Sequence, residues 1–474
     1  MKILLYNTMG REVQEFKPIE DGLVKMYTCG PTVYNFAHIG NLRTYVFEDV
    51  LRRVFEYAGF KVEHVMNITD VGHLTDDADE GEDKMEKSSR ESGKSVWEIA
   101  KYYTDAFFRD TDRLNIIRPT VAPRATEHID DMIALIKRLE EGGHTYQAGG
   151  NVYFSIDTFP DYGRLALLDR QDLQAGARIE VDSNKRNPHD FVLWFTNSKF
   201  ENHAMLWDSP WGKGYPGWHI ECSAMSIRYL GEQFDIHCGG VDHIPVHHTN
   251  EIAQAEAATG KQWVQYWVHG EFLLMNKGKM AKSAGNFLTL QSLVDKGYHP
   301  LDYRYFCLGG HYRSQLQFSF ESLDAAKSAR ERLVSRIAVL REELGDCWKE
   351  AIALPPSAAG SKFLERFEAA VGQDMNMPKA LAELWQLLKS ELQPGEKLSV
   401  VSAMDRVLGL NLLALPQHAT DSSEDREIEE LIEQRNAARS RKDFHLADEI
   451  RDKLSARGIS IKDTPNGTKW SRTL

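Results

Sequence analysis

The stretch LVKMYTCGPTVYNFAHIGNLRTYVFEDVLRRVFEYAGFKVEHVMNIT, residues 23–69, decides the fold. Its first seven residues have strand character, and residues 30–41 form a turn-rich connection. From Leu42 to Ala58 apolar residues recur at helical spacing, and Gly59 is a natural stop. Residues 60–69 read as a second strand. A strand, a glycine-bearing loop, a helix and a strand in this order make a nucleotide-binding α/β unit. The loop lacks GxGxxG spacing, so nothing points to a dinucleotide.

The same pattern resumes far along the chain. FDIHCGG (234–240) reads as strand and loop, HHTNEIAQAEAA (247–258) as helix, EFLLMN (271–276) as strand and KGKMAKSAGN (277–286) as a basic loop. A sheet opened near residue 23 and completed near 275 is one Rossmann-like domain carrying an insertion. Between its halves, residues 76–91 form an acidic surface segment, 94–140 look helical, and 143–217 are irregular and strand-rich. We therefore expect the α/β domain at 1–142 and 218–317, an inserted connective subdomain at 143–217, a helical bundle at 318–415, a linker at 416–425 and a small C-terminal unit at 425–474. That last unit is a helix pair with a short extended end, basic from Arg435 to Lys462.

Such a division suits 474 residues, a length that implies about two to four domains. With 42% hydrophobic and 27% charged residues the composition is ordinary for a globular protein. No run approaches the roughly 18 apolar residues of a membrane span, and the start resembles no secretory leader, so a cytoplasmic protein without a membrane partner is expected. Five cysteines make no disulfide framework in so long a chain. A net charge of -13 argues against a large nucleic-acid footprint, although totals conceal local basic patches.

Three short motifs carry chemistry. His247 and Glu251, four apart, share one helix face and suit a borderline metal; His248 and Glu251, three apart, would serve as well, and spacing alone leaves both open. A His/Glu helix pair is more often a surface hydrogen bond, but Cys29 ends the first strand and Cys222 lies where the chain re-enters the domain. Both thiols could converge with the helix at the carboxyl ends of the strands. His38, Ile39 and Gly40 open the first helix, where exposed N–H groups and the dipole favour anions. Finally, Lys277, Lys279 and Lys282 crowd a glycine-flanked loop, KMAKS at 279–283, able to neutralise a triphosphate. Alone, each tripeptide or basic loop is an ordinary surface feature.

Together these pieces, with NPHDFVLW, PGWHIECSAM and HHTNEIAQ between them, resemble the cysteinyl-tRNA synthetases, class I aminoacyl-tRNA synthetases. The likeness runs from YNTMGREVQEFKP to DTPNGTKW, essentially the whole chain. It implies a zinc ion (Zn2+) on Cys29, Cys222, His247 and Glu251, thereby choosing His247 over His248. It implies a HIGH-type motif at His38, Ile39, Gly40 and Asn41, and a KMSKS-type motif at Lys279 to Ser283 with Lys282 on ATP. Thr69, Trp218 and His237 match the cysteine pocket; Gly239, Gly240 and Asp242 match the segment beside the adenosine. The implied reaction activates L-cysteine with ATP, Mg2+ accompanying it, to cysteinyl-adenylate, then transfers the cysteinyl group to the terminal adenosine of tRNA(Cys). In that reading His38, Asn41, Lys279 and Lys282 are the catalytic groups, the helical bundle and the terminal unit hold the tRNA, and the protein is a monomer.

Zinc explains the selectivity such an enzyme needs. Cysteine and serine differ by S against O, and packing separates near-isosteres poorly. A soft ion takes a thiolate and leaves a hydroxyl, so no editing domain is required. Four protein ligands ordinarily indicate a closed structural zinc, and the family reading has the substrate sulfur join as a further ligand.

Asn41 replaces the second motif histidine, and Ala281 replaces a motif serine. Asparagine can still donate to a phosphate or ribose oxygen; a lost hydroxyl costs about 1 kcal/mol. Cys238 is read as packing. Two rivals follow: a ligase coupling activated cysteine to a small amine, which resembles only the catalytic half, and a non-catalytic nucleotide or RNA binder.

Overall fold

The computed structural model describes residues 1–72, 88–89, 94–168, 183–196, 205–275, 278–279, 287–414, 423–441, 443–456, 459–464 and 467–472. Most of the acidic stretch 76–91, the linker 416–422 and residues 280–286 of the basic loop lie outside these. Two compact units emerge, Met1–Leu412 and Leu413–Leu474.

Within the first unit, Leu23–Thr28 (β1) leads into the helix Ile39–Tyr57 (α1) and on to Lys61–Met66 (β2), which pairs with β1 in parallel, Thr28 beside Met66. Parallel neighbours cannot be joined by a tight turn, so α1 is the crossover their register requires. It buries Leu42, Val46, Val50 and Val54 at helical spacing against the sheet. Gly59 follows at φ +96°, a conformation glycine adopts without strain.

Val96–Arg113 (α2) and Ile129–Glu141 (α3) fill most of the helical stretch, but residues 114–128 interrupt it. Pro119 and Pro123 cannot donate to a helix, and this segment runs extended beside β2 instead. Met66 N–H donates to Val121 O at 3.1 Å and Ile68 N–H to Pro123 O at 2.8 Å.

An antiparallel sheet comes next: Thr145–Ala148 (β3), Asn151–Phe154 (β4), Phe191–Phe195 (β5) and Tyr215–Pro216 (β6), in that spatial order. Gly149 and Gly150 both take positive φ, as the two-residue turn between β3 and β4 requires.

The chain then rejoins the parallel sheet through Trp218–Leu230 (α4), Phe234–Gly240 (β7), His247–Thr259 (α5) and Val264–Gly270 (β8). Strand order is β8-β7-β1-β2. It reverses between β1 and β7, the place where ligands of open parallel sheets gather. Cys29 follows β1 there, its N–H donating to Cys238 O of β7 at 3.2 Å.

This sheet ends at Gly270, which corrects the expectation that EFLLMN completes it. Leu273–Met275 (β9) instead joins Gly278–Lys279 (β10) and Leu316–Phe318 (β11) in a separate three-stranded sheet. The true last strand is hard to read because Val264, Tyr266, Trp267 and Val268 are buried on both faces, leaving little alternation.

Pro300–Leu308 (α6), Phe320–Leu344 (α7), Ala358–Gly372 (α8), Met377–Lys389 (α9) and Pro394–Leu408 (α10) complete the first unit. The fully buried Arg304 of α6 ties three parts together, donating to Asp49 Oδ2 of α1 at 2.6 Å, Leu114 O at 3.1 Å and Leu408 O at 2.7 Å. The second unit pairs Ser423–Ser440 (α11) with Phe444–Ala456 (α12) over Ile428, Leu431, Ile432, Ile450 and Leu454. Ile459–Thr464 (β12) and Gly467–Arg472 (β13) close it as a hairpin. Among the described residues no helix is long and apolar enough to cross a membrane.

Candidate metal centre and adjoining cavity

Three elements deliver four donors to a common point. Cys29 stands just past β1, Cys222 projects from the second turn of α4, and His247 and Glu251 lie one turn apart at the start of α5. Their ligand atoms all lie within 4.8 Å of one another, and all four residues are buried. Two thiols, an imidazole and a carboxylate form a donor set that suits zinc.

The donors crowd one another without satisfying every buried atom. Glu251 Oε1 lies 2.6 Å from His247 Nε2, yet this buried oxygen makes no well-directed hydrogen bond. Three of the four donors are also held from behind, as ligands of a metal characteristically are. His219 Nδ1 is 2.8 Å from His247 Nδ1, His237 Nε2 is 2.7 Å from Glu251 Oε2, and His248 Nε2 is 3.2 Å from Cys29 Sγ. Trp218 stacks on the His247 ring with centroids 4.2 Å apart.

Proton affinities show how strongly the cluster calls for a cation. Burial would lower the His247 pKa, but Glu251 and Cys222 push it up to about 10. Burial would raise Glu251, yet His247 and His237 hold it well below the usual carboxylate range. Of the thiols, Cys29 is pushed up by burial and by Cys222, while Cys222 is drawn down, against burial, by Cys29 and His247. A proton on His247 meets the demand of two anionic donors in part; a divalent cation there would meet it more fully.

Cys29, His237, His248 and Glu251 also bring their ligand atoms within 4.8 Å, so proximity alone does not separate His247 from His248. Access does. Cys29, Cys222 and His247 line a cavity of about 230 Å³, whereas the fully buried His237 and His248 are not among its lining residues.

Asn41, Thr69, Trp218, Gly240 and Asp242 line this cavity too, so that five separated stretches of sequence meet in one space with the cluster. Thr69 Oγ1 donates to Glu221 Oε2 at 3.0 Å and accepts from Asn67 Nδ2 at 2.9 Å. His38, Gly40, Gly239 and His237 are not among the lining residues. His38 is the N-cap of α1: its Nδ1 accepts from Asn41 N–H at 3.0 Å, and its own N–H donates to Asn41 Oδ1 at 3.3 Å. That reciprocal cap fixes the Asn41 amide oxygen. Gly239 is a close-packing point, since a Cβ there would come within 2.5 Å of His243 Nδ1 and 2.8 Å of His248 Cε1.

Residues 15–328 match the tRNA synthetases class I (C) catalytic domain, and residues 421–470 the cysteinyl-tRNA ligase anticodon binding domain. A cysteine–tRNA ligase of Treponema denticola is 55% identical over 100% of both chains, and cysteine–tRNA ligase 1 of Burkholderia lata is 51% identical over 99% of this chain and 97% of that one. The chain belongs to the cysteinyl-tRNA synthetase family. Solved structures of similar fold include Mycobacterium tuberculosis methionyl-tRNA synthetase bound by methionyl-adenylate, at TM-score 0.54 and 15% identity over 83% of this chain and 92% of that one. Agrobacterium radiobacter K84 LeuRS in a ternary complex with tRNA aligns at TM-score 0.57 and 12% identity over 83% of this chain and 84% of that one.

Seen as a cysteinyl-tRNA synthetase, the chain gains residues that spacing did not single out. His219 backs His247 from a site that only folding brings near, and Asn67 backs Thr69; a histidine three residues before Cys222 and an asparagine two before Thr69 were the available signals. Gly30 is another, because a Cβ there would sit 1.7 Å from Asn67 O. Lys279 is described as part of β10, paired with Leu274, while Ala281 and Lys282 lie outside the described residues.

Proposed function

We propose that this cysteinyl-tRNA synthetase activates L-cysteine with ATP and transfers it to tRNA(Cys), and that zinc at Cys29, Cys222, His247 and Glu251 selects the thiol. The observation that carries the selectivity is the opening of that cluster onto the same cavity as Asn41, Thr69, Trp218 and Asp242. A zinc ion held there would supply a soft Lewis acid that accepts a thiolate far more readily than a hydroxyl.

The remaining work falls to the chain itself. Thr69 and Trp218 wall the space for cysteine, with His237 bracing Glu251 from behind. The N-terminus of α1, capped by His38 and Asn41, presents a positive dipole end to the phosphates of ATP·Mg2+, and Lys279 and Lys282 neutralise the leaving pyrophosphate. Gly240 and Asp242 lie beside the adenosine, with Gly239 giving the close backbone packing. A carboxylate oxygen of cysteine attacks the α-phosphorus and pyrophosphate leaves; the terminal hydroxyl of tRNA(Cys) then takes the acyl group and AMP leaves. No covalent enzyme intermediate is needed, so positioning and charge stabilisation supply the acceleration. Residues 318–415 hold the tRNA and 425–474 its anticodon end, in a monomer working in the cytoplasm.

Cysteine-dependent exchange of labelled pyrophosphate into ATP tests this reading. Exchange with cysteine, little with serine, and loss on chelation support it; metal-loaded protein without exchange contradicts it. Acylation of tRNA, with none of a small amine, separates it from an amine-coupling ligase.

A further inference from the structure

Arg43 lies one turn into α1, 5% exposed, and spends its guanidinium on main-chain carbonyls. Nη1 donates to Glu271 O at 2.7 Å and to Phe272 O; Nη2 donates to Ser314 O at 2.5 Å and to His311 O at 3.3 Å. Among the described residues no carboxylate forms an ion pair with it, so the cation is compensated chiefly by backbone dipoles. Holding an unpaired charge in this way is costly. A salt bridge or an apolar side chain would be the simpler packing solution.

The carbonyls belong to two particular segments. Residues 271–272 run directly into β9, which pairs with β10 and so with the backbone of Lys279; residues 311–314 run into β11, the other neighbour of β9. The two segments also bond each other, Glu271 N–H to Tyr312 O at 2.8 Å and Leu316 N–H to Phe272 O at 3.1 Å. Downstream, the chain returns to the same helix: Ile39 N–H donates to Leu288 O at 2.8 Å, and His38 bridges to Thr289. Both the strand that leads to Lys279 and the segment 288–289 are therefore fastened to the first two turns of α1.

Resting on the functional reading above, we infer that Arg43 is a positioning residue for adenylate formation: it fixes the strand carrying Lys279 against the helix whose N-terminus carries His38 and Asn41. The forked guanidinium meets two carbonyl pairs on separate segments, which the single point of a lysine ammonium cannot do. Loosening that clamp shifts the lysine-bearing strand relative to the helix N-terminus. It leaves the metal cluster, which is built from β1, α4 and α5, in place.

The test uses full-length protein with Arg43→Lys and Arg43→Gln, and Arg43→Ala for chemical rescue, scoring metal content, cysteine affinity and the kinetics of pyrophosphate exchange against ATP. A misplacement of about 1 Å costs about 100-fold in rate. The expected result is a fall of about that size in kcat/KM for ATP in both variants, with metal content and cysteine affinity unchanged, and partial recovery on adding methylguanidinium to Arg43→Ala. Wild-type kinetics in both variants would overturn the inference. So would a parallel fall in metal content, cysteine affinity and melting temperature, since that marks general packing. Failure of the functional reading shows separately, as an absence of exchange in the wild-type protein.

Discussion

His219 Nδ1 lies 2.8 Å from His247 Nδ1, which turns the opposite nitrogen of His247 to within 2.6 Å of Glu251 Oε1. Two imidazole nitrogens at that distance need one proton between them. With Nδ1–H of His247 donating to His219, Nε2 keeps the lone pair a metal requires. His219→Ala should therefore weaken metal affinity by about 10- to 100-fold, read by competition with a chelator of known affinity. Unchanged affinity would mean that Trp218 stacking alone orients His247.

The two thiols near the sheet's carboxyl edge should behave differently from the third. Cys222→Ser is expected to release metal and abolish cysteine-dependent exchange. Cys238, fully buried on β7 with its thiol pushed up by burial, is packing; Cys238→Ala should keep full metal content and cost about 1 kcal/mol of stability. Elemental analysis of both variants checks the contrast.

Asp49 joins α1 to Arg304 of α6 and also accepts from Arg53 Nε at 2.7 Å and from Ile117 N–H at 2.8 Å. Arg304→Met breaks one buried pair while Arg53 remains, so the loss should fall near the low end for such changes, about 3 kcal/mol, measured by denaturant unfolding.

The same carboxylate makes stability depend on acid. Burial would raise the Asp49 pKa, but Arg304, Arg53 and the Ile117 N–H outweigh it and hold the group below its ordinary value. A folded pKa below the unfolded one gives stability that is complete above about pH 4 and lost as pH falls through the folded value. Asp49→Asn should flatten that acid limb of the stability curve.

Gly30 passes so close to Asn67 that a Cβ would sit 1.7 Å from its carbonyl oxygen, and the Gly30 N–H donates to Asn67 Oδ1 at 2.8 Å. Gly30→Ala must displace either β2's end or Cys29 next door. A loss of about 1–3 kcal/mol or more is expected, together with reduced metal content. Melting temperature and metal analysis on the same sample check both.

How much of this is legible before folding depends on the range of the interaction. The unit β1–α1–β2 reads directly because alternation and helical spacing are local, and α1's stop is marked by Gly59. The last strand, 264–270, is obscured by burial on both faces, and the break at 114–128 becomes clear only when that segment is seen lying along β2. In the site, Cys29, Cys222, His247 and Glu251 could be named from motif likeness, but neighbouring histidines at 247 and 248 share the glutamate's helix face closely enough that spacing could not rank them. What separates them in space is which one faces the cavity. His219, Asn67 and Arg43 act through partners 28 or more residues away, and no local pattern announces such contacts. Asn67 is nearer to its other partner, Thr69, and even there the signal is only a two-residue offset.

Capture of the substrate's sulfur by the metal is the central claim, and cobalt(II) substituted for zinc reports on it directly through sulfur-to-metal charge-transfer absorption. Titrating L-cysteine and L-serine into the cobalt protein should strengthen that absorption with cysteine and leave it unchanged with serine. A spectrum indifferent to cysteine, or altered equally by both amino acids, would contradict the claim.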